Sequence, residues 1–163
     1  MGLIINDKIQ KMMVGYPTVS DKYNVSGGIL STGTAKFGDL VKKTSTPGYF
    51  APATSVSAVT DICGFILATN VKLAQDWPAT TVQVNAMEAF NLMIDGFIAV
   101  ELDSGATSSY ITPNAQMCVI LSTGKITTSD QYNASTAPYL PNCVFTGEYE
   151  TQGTKLVAEV YVK

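Results

Sequence analysis

The chain has 163 residues, 46% of them hydrophobic and 14% charged, with a net charge of −3. That size suits one domain with a substantial core, and a charged fraction well under the usual ~25% points to a Ser/Thr-rich or partner-covered surface. All ten basic residues are lysines and there is no histidine, which excludes a basic nucleic-acid footprint, a bidentate arginine clamp, and any Ser-His or Cys-His pair.

The N-terminal stretch "MGLIINDKIQKMMVGYPTVSDKYN" carries patchy hydrophobicity and ends in turn residues. Ile9, Met12 and Met13 can share one face of a short helical turn, and Pro17 stops anything regular. Residues 1–24 are therefore expected to form an extended arm outside the core, and residues 25–163 the folded domain. The arm's Leu3, Ile4, Ile5, Met12, Met13 and Tyr16 have no periodic partner in the β pattern beyond Val25. They are candidate contacts for a binding partner, because an exposed apolar patch marks an interaction site. No signal peptide or membrane span is expected, since no apolar run reaches the ~18 residues that a span needs.

From Val25 onward the pattern turns to β. "VSGGILST" and "FGDLVKKT" are short runs bounded by Gly, Ser and Thr. "TPGYF" places Pro47 and Gly48 at the centre of a type II turn. "DICGFILATN" is a near-continuous apolar strand. Trp77, the only tryptophan, lies in the loop-like "AQDWPATT" and is a further candidate contact.

"FNLMIDGFIAVELDSG", Phe90 to Gly105, holds Asp95, Glu101 and Asp103 among apolar residues. Asp95-Gly96 is a two-residue hairpin signal, because both positions tolerate φ > 0. Cross-strand partners share a face, so both faces of the expected hairpin are apolar near its tip and should be covered on both sides. Asp95 and Gly96 are then structural turn residues, and the carboxylates need no chemistry to explain them. The stretch lacks the D-x-[DN]-x-[DN]-G calcium loop, and no metal or other cofactor is expected.

"MCVILSTGKITT" reads as strand, turn at Thr123-Gly124, strand. Its "STGK", Ser122 to Lys125, matches the S-x-x-K of penicillin-interacting enzymes. Those enzymes need the serine at a helix start, so the match carries no catalytic assignment. "SDQYNASTAPYLPN" is expected as a surface loop. "CVFTGEYETQGTKLVAEVYVK" closes the chain as a hairpin around Gln152-Gly153, with Leu156, Ala158, Val160 and Val162 on one face by strict alternation. Cys63, Cys118 and Cys143 sit in apolar strand-like settings and are expected as free thiols. Short strands at this spacing indicate an all-β fold, a small antiparallel β-barrel or β-sandwich.

In order and spacing the chain resembles the structural cement, or capsid decoration, proteins of tailed bacteriophages. The resemblance rests on "KMMVGYPTVSDKYNV" as the leading arm, "AKFGDLVKKTSTPGYFAPAT" as strand and turn, "ICGFILATN", "FNLMIDGFIAVEL" and the closing "NCVFTGEYETQGTKLVAEVYVK". "VNAMEAFN" departs from it, standing where such proteins more often have a Gly-Asp turn. The resemblance implies a non-enzymatic virion protein on the capsid exterior, made in the bacterial host cytoplasm. It implies the major capsid protein as partner, with self-association, for example as a trimer, and no nucleic acid or membrane partner. The other reading of the residues is a β-sandwich glycan-binding module, with Tyr110, Tyr132 and Tyr139 as candidate aromatics.

Overall fold

The computed structural model describes residues 13–18, 23–68 and 83–163. Eleven strands occur among them: β1 (Tyr23–Leu30), β2 (Thr34–Lys36), β3 (Leu40–Lys43), β4 (Tyr49–Pro52), β5 (Ile62–Leu67), β6 (Gln83–Asn85), β7 (Ala89–Glu101), β8 (Gln116–Ile120), β9 (Lys125–Thr127), β10 (Tyr139–Gln152) and β11 (Lys155–Val162). Three single 3-10 turns, at 59–61, 108–110 and 129–131, complete the regular structure described. The all-β expectation holds, with one qualification: β1 and β4 run parallel, and every other strand pair is antiparallel.

Nine strands form one sheet in the order β1-β4-β3-β5-β7-β11-β10-β8-β9, and β1 also pairs with β7. That extra pairing closes β1, β4, β3, β5 and β7 into a ring. The remaining strands lead away from β7 and return to it. Leu102, just past the end of β7, bridges Ile126 of β9, and the Asp103 N–H donates to the Ile126 carbonyl at 2.7 Å. The fold is thus two barrel-like rings that share one spine, β7. Strands β2 and β6 form a separate two-stranded ribbon.

Each ring has its own core. Leu30, Val41, Ile66, Phe90 and Leu92 fill the first, with Phe50 packed against them, so all five strands of that ring contribute. Phe50 and Phe90 meet edge to face at 5.7 Å. Met93, Ile98, Val100, Met117, Val119, Ile126, Phe145, Ala158 and Val160 fill the second, larger core. Leu40, Phe65 and Leu67 join it from β3 and β5. Alternation along those two strands therefore sends one side chain inward and the next onto the neighbouring ring.

The expected hairpin at Asp95-Gly96 is corrected by the structure. Ala89–Glu101 is one continuous 13-residue strand. Phe90 and Leu92 face the first core, whereas Ile98, Val100 and Leu102 face the second. Their even spacing would keep them on one face of a regular strand. An irregularity resets the alternation between them. Asn24 pairs with Asp95 and Val25 with Met93, so Ile94 is the extra residue of a β-bulge. Gly96 follows with φ 127°, a conformation that favours glycine. The two apolar faces are covered, as their composition requires, but by two cores of the same domain.

The arm expectation is also corrected at its C-terminal end. Tyr23 and Asn24 already lie in β1, paired with Gly96 and Asp95. Residues 13–18 lie against the free edge of β7. The Gly15 N–H donates to the Ala99 carbonyl at 2.8 Å, the Ala99 N–H to the Tyr16 carbonyl at 3.3 Å and the Thr18 N–H to the Phe97 carbonyl at 3.0 Å. Gly15 has φ +81°, and a Cβ there would lie 2.3 Å from the Phe37 Cβ. Met13 to Tyr16 form one hydrogen-bonded turn, with the Tyr16 N–H on the Met13 carbonyl at 3.0 Å, rather than a helical face. Ile9 and Met12 lie outside the described residues.

The remaining expectations hold locally. The turn at Pro47-Gly48 closes with the Tyr49 N–H on the Thr46 carbonyl at 3.1 Å. The closing hairpin forms with Gln152 opposite Lys155, which puts Gly153 and Thr154 at its tip, one residue later than expected. Leu156, Ala158, Val160 and Val162 face the second core. On the opposite face of β11, Val157 and Glu159 are buried as well. The expected loop over 129–142 is shorter than its composition suggests, because Tyr139–Asn142 already belong to β10.

Candidate functional site: interaction surfaces

Each acidic residue of the central stretch has a structural engagement. Asp95, half-buried, accepts the Asn24 Nδ2 at 3.2 Å. The Glu101 carboxylate pairs with Lys155 Nζ at 2.8 Å. Asp103 Oδ2 accepts the Gly105 N–H at 2.9 Å, a local turn bond that such residues make readily. Among the described residues no three His, Cys, Asp or Glu side chains come together to hold a metal.

The "STGK" segment is a turn between β8 and β9. Lys125 Nζ lies 3.3 Å from Asp39 Oδ1. The surroundings of this turn lock the two rings together. The Ser55 N–H donates to the Ser122 carbonyl at 3.1 Å, and the Val56 N–H to the Leu121 carbonyl at 2.9 Å. Lys42 Nζ donates to the Thr54 carbonyl at 2.7 Å and the Ser55 carbonyl at 3.3 Å. Residues 53–56 of the first ring are thereby fastened to 121–125 of the second.

All three cysteines are free thiols; Cys118 and Cys143 are buried and Cys63 is half-buried. Burial pushes the Cys143 thiol up to about 12. Burial, with the negative charge of Asp130 adding to it, pushes Cys118 up to about 11. At neutral pH these are inert core side chains, not nucleophiles. Cys63 and Cys143 line a cavity of about 170 Å³ beside Ile94, where β5 begins and β11 ends along the spine.

Of the candidate contact residues, Leu3, Ile4, Ile5, Met12 and Trp77 lie outside the described residues. Met13 is exposed. Tyr16 is half-buried, and desolvation raises its phenol above the usual value. Tyr132 and Tyr139 stack on each other at 4.3 Å, and Tyr110 stands exposed on the 108–110 turn. Sequence reasoning missed another surface. Tyr23, Val25 and Ile94 are exposed together around the bulge. The available signal was "YNVSGG", a strand with no charge on either face.

A family model described as structural cement protein (E217 gp24/Pam3 gp6) matches residues 5–162. No curated protein matches the chain. A chain solved in "The capsid of Myoviridae Phage XM1" is similar in fold, with a TM-score of 0.66 and 16% identity over 99% of this chain and 96% of that one. Two fused rings, carboxylates engaged in turns and ion pairs, and buried thiols make a scaffold suited to binding rather than chemistry. The match over nearly the whole length gives that scaffold its role: the chain belongs to the structural cement protein family of phage capsids.

Proposed function

We propose that this protein attaches to the outer surface of an assembled phage capsid, binds the lattice of the major capsid protein and stabilises it across junctions between shell subunits. The observation that carries the reading is the family match over residues 5–162. Two structural features support it. The shared spine and the 53–56 clasp make the domain stiff, so that strain on one contact passes to the next. Met13 is exposed at the point where the preceding apolar residues join the sheet.

Leu3, Ile4, Ile5, Met12 and Met13 supply the main shell contact in this reading, with Trp77 as a second anchor. Tyr16 acts at the root of the arm, because its carbonyl accepts the Ala99 N–H. Burying one large apolar side chain contributes about 1.5–3 kcal/mol, less the cost of ordering the arm. Weak single contacts suffice, since copies repeated on a lattice and linked to one another gain avidity. A net charge of −3 without arginine supports a protein rather than a nucleic-acid partner.

The test is co-sedimentation with particles that lack the protein, for the full chain, for a deletion of residues 1–12 and for Trp77→Ala. The full chain should pellet saturably, and the deletion should lose at least about tenfold in affinity with an unchanged melt. A full chain that stays in the supernatant refutes lattice binding. A deletion that binds as tightly as the full chain moves the contact away from the arm.

A further inference from the structure

We propose that the first half of β1 is an interface for a second copy of this chain. The two β1 strands would pair edge to edge, antiparallel, about a two-fold axis at Val25. This goes beyond attachment to the shell.

The inference starts from an open strand edge. On one side, β1 pairs with β7 from Tyr23 to Ile29. On the other, it pairs with β4 only at Ile29 and Leu30. The Ile29 N–H reaches the Gly48 carbonyl at 3.0 Å and the Ser31 N–H the Phe50 carbonyl at 2.7 Å, both on the β4 side. The Leu30 N–H reaches the Glu88 carbonyl at 3.0 Å on the β7 side. Direction alternates along a strand, and the extra residue of the bulge lies in β7, not β1. The N–H and C=O groups of Tyr23, Val25 and Gly27 therefore point away from β7. Among the described residues no strand pairs with them, and Tyr23 to Gly27 are all exposed.

Proteins protect such edges with lysine, proline, inward charge or a covering element. Tyr23-Asn24-Val25-Ser26-Gly27-Gly28 has no charge and no proline. A Cβ at Gly27 would meet nothing within 4 Å. The edge is bordered by exposed apolar side chains, Tyr23, Val25 and Ile94.

A second copy fits this edge by charge and by register. The chain is net acidic, so two copies repel over most of their surface, but this edge carries no charge to repel. Placing Val25 opposite Val25 of the other copy puts Tyr23 opposite Gly27 and Asn24 opposite Ser26. The tyrosine ring then covers the bare glycine, and the amide faces a hydroxyl. Every outward N–H and C=O at positions 23, 25 and 27 falls in a hydrogen-bonded pair. Six residues a side bury less than the ~1,200 Å² of a standard stable interface. The dimer is therefore weak when free and favoured where copies are held side by side.

The experiment uses the full chain with Cys63→Ser, so that only buried native thiols remain. Val25→Cys, Ser26→Cys and Met87→Cys are compared under mild oxidation, with sedimentation equilibrium of the wild type and Val25→Lys up to millimolar concentration. Position 25 meets itself across the axis with Cα atoms about 5.5 Å apart, within disulfide range. Val25→Cys should cross-link at least tenfold faster than Ser26→Cys or exposed Met87→Cys. The wild type should show a concentration-dependent dimer that Val25→Lys weakens at least tenfold, with equal thermal melts. Equal cross-linking rates at the three positions, or a wild type still monomeric at millimolar concentration, overturn the proposal. A monomeric wild type whose shell binding falls with Val25→Lys also overturns it, by assigning the edge to a strand of the shell.

Discussion

Gly96 is the position where the two-ring architecture is most exposed to a single substitution. It is buried, it pairs with Tyr23 on one side and Val162 on the other, and its φ is 127°. Replacing it with valine forces a β-branched residue into a sparsely populated backbone region, which costs about 1–3 kcal/mol in strain alone. A relaxation toward an ordinary strand would undo the reset that sends Leu92 to one core and Ile98 to the other, so escape by backbone adjustment is costly too. For a domain of this length each kcal/mol lowers Tm by about 2–4 °C, so Gly96→Val should melt about 2–12 °C below wild type. Gly96→Ala should retain much of that loss, because the strain comes from the backbone. Asp95→Asn is the control: it keeps an oxygen for the Asn24 amide and should shift the melt by less than about 1 °C. Calorimetry on the three variants decides the matter. A Gly96→Val protein within a degree of wild type would show that the bulge and the glycine do not set the switch between cores.

The same geometry fixes the other outcomes. Gly15→Val should destabilise by at least about 2 kcal/mol, since φ +81° and the Phe37 contact both oppose a side chain. Exposed Met13→Ala should stay within about 0.5 kcal/mol; denaturant titration separates the two. Native protein should react with a thiol reagent at no more than one cysteine, Cys63, at neutral pH, and all three should react after denaturation. The raised Cys118 and Cys143 values favour the protonated thiol in the folded state. Their contribution is fully present below about 9.0, the ordinary thiol value, and is lost as pH rises toward about 11 and 12. Thermal stability should therefore fall across that alkaline window, and a flat profile there contradicts the buried placement. Chelator should leave the melt unchanged; a drop of several degrees restored by calcium would reveal a metal requirement.

The features legible in the sequence are mostly local. The alternation of Leu156 to Val162, the Pro47-Gly48 turn and the strand-turn-strand around Gly124 depend on neighbours a few residues apart, and the chain states them directly. Asp95-Gly96 shows the limit. A turn dipeptide between apolar runs looks the same whether the chain reverses or merely changes which face is buried. Only the distant partners, Tyr23 and Asn24 before it and Val162 after it, tell the two apart. The end of the arm is hidden for a similar reason. "VGYPT" has no periodicity because it bonds to one edge of β7 through its backbone, which leaves no mark on side-chain pattern. The sole hint is Gly15 between apolar residues, where a side chain would strike Phe37. The structural reading of the carboxylates survives on different partners: Glu101 and Asp103 are held by Lys155 and the Gly105 N–H rather than by the end of a hairpin.

The central claim is that this protein strengthens an assembled shell. The most direct measurement compares the temperature at which particles release their DNA when they lack the protein, when they carry it, and when it is added back to particles that lacked it. The account predicts a lower release temperature without the protein, recovered saturably on add-back at a copy number fixed relative to the shell subunit. Add-back to full occupancy with no change in release temperature would show that the protein decorates the shell without cementing it, and would contradict the account.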